Sequence, residues 1–178
     1  TTSSGHLLAL FPNPQDAARF NTNSSDIYQV ITDIRKNNGL CIIPHPGLPR
    51  VGVSLISLIY NNVDGAEIIN GFTHTFKYIP YICINPNDIR MHLYGAGIAE
   101  IGSSDAHFAH SVGSAVTIFP GNSLENLIAG IKNRHTRPRL NKQYVPTLGH
   151  FLTYSRTCFQ KFGWRKYLES ILNQPFNI

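Results

Sequence analysis

The sequence predicts an α/β fold of repeated βα units, arranged as a parallel sheet or a barrel. Two observations carry that prediction. Short apolar runs such as LCII alternate with segments whose apolar residues return every three to four positions, the pattern of strands buried on both faces between amphipathic helices. Several His and Asp residues follow directly on the apolar runs, and the C-terminal ends of strands are where such folds carry their chemistry. At 178 residues and 42% hydrophobic composition, the chain can bury one sizeable core.

Taken in order, GHLLALF (Gly5–Phe11) reads as a buried strand. FPNPQDAARFNTNSS reads as loop, because Pro12 and Pro14 are excluded from a helix interior. Ile27, Val30, Ile31 and Ile34 then recur at i, i+3, i+4 and i+7, behind cap candidates Ser24 and Ser25 and ahead of Gly39, which predicts a helix. LCII (Leu40–Ile43) is a strand stopped by PHPG. VSLISLIYNN follows as a short helix, GAEII as a strand, NDIRMHLYGAGIA as a helix and EIGSS as a strand. SAVTIFP (Ser114–Pro120) is the last predicted strand, and Ser123 caps a helix bearing Leu124, Leu127, Ile128 and Ile131 on one face.

Charge is unevenly placed. Of fifteen basic and ten acidic residues, nine basic and one acidic lie from Ile131 onward, which leaves about −3 before that point and about +8 after it. A body of that sign suits cations, and a tail of that sign suits anionic partners. Cys41, Cys83 and Cys158 are odd in number and widely spaced, neither a disulfide framework nor a CxxC metal pattern, so a reducing, cytoplasmic compartment is expected. No apolar run approaches the roughly 18 residues of a membrane helix. The opening TTSSGH has neither an initiator Met nor a leader, so a piece of a longer chain is expected.

The candidate ligands are His6 at the start of the first strand, His45 just past the second, and Asp105 and His107 just past EIGSS. Imidazole with carboxylate suits Zn, Mn or Fe. The Asp-x-His spacing lets both side chains point one way from an extended segment. His45 stands between Pro44 and Pro46, which hold its backbone away from helix. Glu67, an acid within an apolar strand, is expected to serve structure through a hydrogen-bonding or ionic partner. Most of His74, His92, His110, His135 and His150 are expected not to be ligands.

GHLLAL, CIIPHPG, DGAEIING and IGSSDAHFAHSVGSA stand in the order and at about the separations of the later motifs of the polymerase and histidinol phosphatase (PHP) superfamily, over roughly Ser4 to Arg134. The resemblance implies a metal-dependent phosphoesterase, folded as the later portion of a distorted seven-stranded, TIM-like βα barrel with two or three metal ions at the strand ends. His6, His45, Asp105 and His107 resemble metal ligands, with His45, Asp105 and His107 also in catalytic positions. Asn70 matches a motif position near the site and is a substrate-contact candidate. Arg50, whose guanidinium suits a phosphate, is another.

The implied ions are Zn, Mn or Fe, with Mg possible, and the implied substrate is a nucleotide, an oligonucleotide or a small phosphomonoester hydrolysed by metal-activated water. The chain departs from the family pattern in lacking the His-x-His motif and the further Asp, His and Glu that precede these segments. An isolated chain of this kind is expected to be weakly active or inactive. Residues 1–136 correspond to the phosphoesterase domain, and residues 137–178 to a basic, aromatic extension expected to be helical. The alternative is a non-catalytic module that binds nucleic acid or a partner protein through residues 131–178, where Trp164, Tyr and Phe mix with Arg and Lys.

Overall fold

A computed structural model describes residues 1–48, 52–54, 62–75, 89–90, 97–107 and 109–141, together with 152, 156, 160 and 163. The chain forms two compact units, Thr1–Asn141 and Lys142–Ile178. In the second unit, residues 152, 156 and 160 are helical and exposed.

The first unit is built on β1 (Leu8–Leu10), β2 (Leu40–Ile43), β3 (Gly65–Asn70) and β4 (Ala99–Ser103), hydrogen-bonded in that order. β2, β3 and β4 run parallel, as the apolar runs predict. β1 does not: it lies antiparallel on β2, with Leu8 opposite Ile42 and Leu10 opposite Leu40. It is also an edge rather than a buried strand, with Leu8 half exposed. A second, two-stranded sheet pairs β5 (Ala115–Ile118) antiparallel with β6 (Arg137–Leu140). The first unit therefore runs on through Asn141, because Arg137–Leu140 is a strand of it.

The helices are α1 (Pro14–Arg19), α2 (Ile27–Lys36), α3 (Gly71–Thr75) and α4 (Leu124–Lys132). α1 corrects the loop prediction: Pro14 occupies the first turn, where its missing N–H costs nothing, and the Asn13 side chain accepts from the Gln15 N–H. α2 forms where its periodicity predicts. Its cap is Asp26 rather than Ser24 or Ser25, with Oδ1 accepting from the Tyr28 and Gln29 N–H groups at 2.8 and 3.0 Å. Ser123 caps α4 as expected. Of the helix predicted over VSLISLIYNN, Val53 and Ser54 are not helical and residues 55–61 lie outside the described residues. Of NDIRMHLYGAGIA, Ile89 and Arg90 are helical, while Gly97 and Ile98 are irregular and Ala99 already opens β4.

Alternation along β2 sends its side chains to two cores. Cys41 and Ile43 join Ala66, Ile68 and the buried face of α2, formed by Ile27, Val30, Ile31 and Ile34. Leu40 and Ile42 join Ala99, Ile101 and Ile131 of α4. Full burial stabilises each such aliphatic by about 1.5–3 kcal/mol relative to exposure. The sheet is thus rigidly held from both faces, which fixes the strand ends that carry the candidate site.

Candidate metal centre

The direction of β1 decides where His6 stands. Had β1 run parallel to β2, a residue ahead of it would lie at the far edge of the sheet from His45. Because it runs antiparallel, its beginning lies beside the C-terminal end of β2. His6 Nδ1 consequently comes within 3.4 Å of His45 Nε2, with the rings edge to face.

His45 is buried, and its backbone is held at φ +30°. Pro46 disfavours the right-handed helical region for the residue before it. The loop closes on itself, with Leu48 N–H donating to His45 O at 3.1 Å and Gly47 N–H to Val53 O at 2.8 Å. The His45 N–H donates to Glu67 Oε2 at 2.7 Å. Its ring Nδ1 is buried and has no hydrogen-bond partner among the described residues, an uncommon condition for a buried polar atom.

Asp105 and His107 follow β4, but not in an extended conformation. Asp105 has φ +46°, and the chain folds so that His107 Nδ1 lies 2.8 Å from the Asp105 carbonyl oxygen. The relative aim of the two side chains therefore comes from a turn and not from strand alternation. The His107 ring packs on Phe72 of α3 at 4.5 Å between centroids. Asn70, at the end of β3, donates from Nδ2 to Asp105 Oδ2 at 3.2 Å and to Glu67 Oε2 at 2.9 Å. Arg50 lies outside the described residues, as do His92 and His150.

The His6 pKa is lowered from 6.5, first by burial and then by His45, against an opposing pull from Asp105. The imidazole is therefore neutral at neutral pH, the form that binds a metal. A His–His approach of 3.4 Å is long for a hydrogen bond. It does match the spacing of two imidazole nitrogens on one tetrahedral ion, roughly 3.3 Å for bonds of about 2.0–2.1 Å. In its spacing, and in the neutral state of His6, the pair fits a divalent ion. Among the described residues, no three His, Cys, Asp or Glu side chains stand close enough to hold one ion together.

From the sequence, Glu67 has only a general structural role and Asn70 no firm one. In the fold, Glu67 also accepts from the Ser103 hydroxyl, so one buried carboxylate joins the ends of β2, β3 and β4. The signal available in the sequence was the acid itself, alone in an apolar run.

Residues 96–136 match the family model described as PHP-associated, a span covering β4, the Asp105–His107 turn, β5 and α4. No curated protein and no solved structure matches the chain. Among the described residues, no helix is long and apolar enough to cross a membrane.

Proposed function

From this relation to the PHP superfamily, we propose that the chain carries part of the metal centre of a metal-dependent phosphoesterase, in a barrel-type α/β domain of the cytoplasm. The observation that carries the reading is the His6–His45 pair, brought to 3.4 Å at the C-terminal edge of parallel strands and within the field of Asp105. His6 Nδ1 and His45 Nε2 would hold a Zn, Mn or Fe ion, with Mg less suited to nitrogen donors. Such an ion supplies Lewis-acid polarisation of a phosphate oxygen and lowers the pKa of bound water.

The chain's own residues do the rest. Asp105 supplies negative charge that acts on His6, favouring a cation there. With Nδ1–H donating to the Asp105 carbonyl, His107 has its basic nitrogen at Nε2, where it can hold or return a proton as an alkoxide leaves. Phe72 keeps that ring oriented.

The test is metal content by mass spectrometry together with hydrolysis of p-nitrophenyl phosphate and bis(p-nitrophenyl) phosphate, for the natural chain and for His45→Ala and Asp105→Ala. Metal and hydrolysis lost together in both variants support the reading. A natural chain that retains no more metal than His45→Ala overturns it.

A second reading draws on β6, where Arg137 and Arg139 both lie exposed on one face. They suit a phosphate backbone, and binding of single-stranded nucleic acid that weakens steeply with salt would favour a binding module.

A further inference from the structure

We propose that Glu67 and Asn70 form a buried positioning relay that sets the geometry of both His45 and Asp105; as a statement about metal binding, this rests on the phosphoesterase reading above. The two residues are three apart in β3, and strict alternation would put them on opposite faces of the sheet. The register of β3 on β4 shifts between Glu67 and Ile69, so that Glu67 pairs with Ile101 and Ile69 with Gly102. This bulge resets the alternation and brings Asn70 Nδ2 to Glu67 Oε2 at 2.9 Å. Bulges commonly re-aim a side chain in this way beside functional sites.

Each end of the relay reaches a residue with an unusual backbone. His45 at φ +30° and Asp105 at φ +46° are both non-glycine residues in the left-handed region, which persists only where the surroundings over-determine it. For His45 the N–H on Glu67 ties the Pro46 loop to β3. For Asp105 the tie is the Asn70 amide on Oδ2. The amide cannot be turned over without loss, because Oδ1 accepts the Thr73 N–H at 2.9 Å. Glu67 and Asn70 are 4% and 5% exposed, so water does not substitute for either contact. The relay also orders what it joins: His45 faces His6, and the Asp105 carbonyl faces His107.

The experiment compares Asn70→Ala and Glu67→Gln with Asp64→Asn. Asp64 is a carboxylate that likewise holds a backbone N–H, that of Cys41 at 2.8 Å, but at the opposite end of the strands. Two readouts are taken on the full chain: ¹⁵N-edited NMR of the His45 and Asp105 amides and the His6 and His45 imidazoles without metal, and zinc affinity by competition with a chelating dye. Asn70→Ala and Glu67→Gln are expected to move those signals and to weaken zinc about 10–100-fold, the usual range for groups that orient metal ligands. Asp64→Asn is expected to lower thermal stability while leaving both readouts in place. Unmoved signals in Asn70→Ala, or an equal effect from Asp64→Asn, overturn the relay. If the natural chain binds zinc no better than His45→Ala, the metal reading falls, and the NMR comparison still decides the relay.

Discussion

Gly102 and Thr117 form a contact whose strength follows from a few distances. The Thr117 hydroxyl accepts the Gly102 N–H at 3.0 Å and donates to the Gly102 carbonyl at 2.8 Å, so one side chain serves β4 in place of a neighbouring strand. The approach depends on glycine: a Cβ at position 102 would sit 2.5 Å from the Val116 carbonyl oxygen and 3.1 Å from Pro138. To restore ordinary contact at 3.4 Å, β5 must retreat by about 0.9 Å, which takes both Thr117 bonds past hydrogen-bonding range. Thr117→Val keeps the shape, removes the hydroxyl and leaves the Gly102 N–H unpaired, a cost of about 1–3 kcal/mol. Gly102→Ala incurs that loss and disturbs the packing of β5 and β6, for about 2–4 kcal/mol in all. Since the same bonds are lost in both variants, the double variant should cost about 1–2 kcal/mol less than the sum of the singles. Urea denaturation followed by circular dichroism measures all four corners of the cycle. Additivity within about 0.5 kcal/mol would falsify the shared-contact argument.

Asp26→Ala removes the acceptor for two N–H groups of α2 and should destabilise the unit by about 1 kcal/mol in the same assay, with Asp26→Asn recovering most of it. Because the folded-state pKa of His6 is depressed below 6.5, its contribution is present above pH 6.5 and lost as pH falls through the folded value. The urea midpoint of the natural chain should therefore fall more steeply below pH 6.5 than that of His6→Gln; parallel profiles would contradict the assignment. Burial, reinforced by Asp64, pushes the Cys41 thiol up to about 12, so it stays protonated and unreactive. Iodoacetamide at pH 8 should leave Cys41 unlabelled in the native chain and label it after unfolding, as read by peptide mass spectrometry.

The elements visible in the sequence are those with a repeating pattern. α2 and α4 announce themselves through apolar residues at helical spacing, and β2 through four consecutive apolar residues that the fold buries on both faces. α1 was hidden because proline at a first helical position looks, in isolation, like proline breaking a helix. β1 resembles a buried strand in its leucines, but nothing local tells a chain that it will run antiparallel at an edge. At the site, the residue types of His6, His45, Asp105 and His107 were legible and their approach was not. The 3.4 Å between His6 and His45 depends on strand direction, and the link from Asn70 to Glu67 depends on a bulge. Both are properties of pairing between distant segments, which no spacing along the chain encodes. Ser24, Ser25 and Asp26 are all good caps by residue type, and only geometry selects Asp26.

The reversal of β1 also sorts the chain by its tolerance of length change. Leu10 pairs with Leu40 at the edge of the sheet remote from the two imidazoles, so everything between them, α1 and α2 included, is a detour that leaves and returns at that remote edge. Residues gained or lost in the detour's loops need not disturb the spacing of His6 and His45. A single residue gained or lost between His6 and Leu8 would displace the imidazole by a strand step of about 3.4 Å and turn it to the other face of the sheet. Among related sequences, length should therefore vary freely in the loops that flank α1 and α2 and stay fixed across residues 6–10.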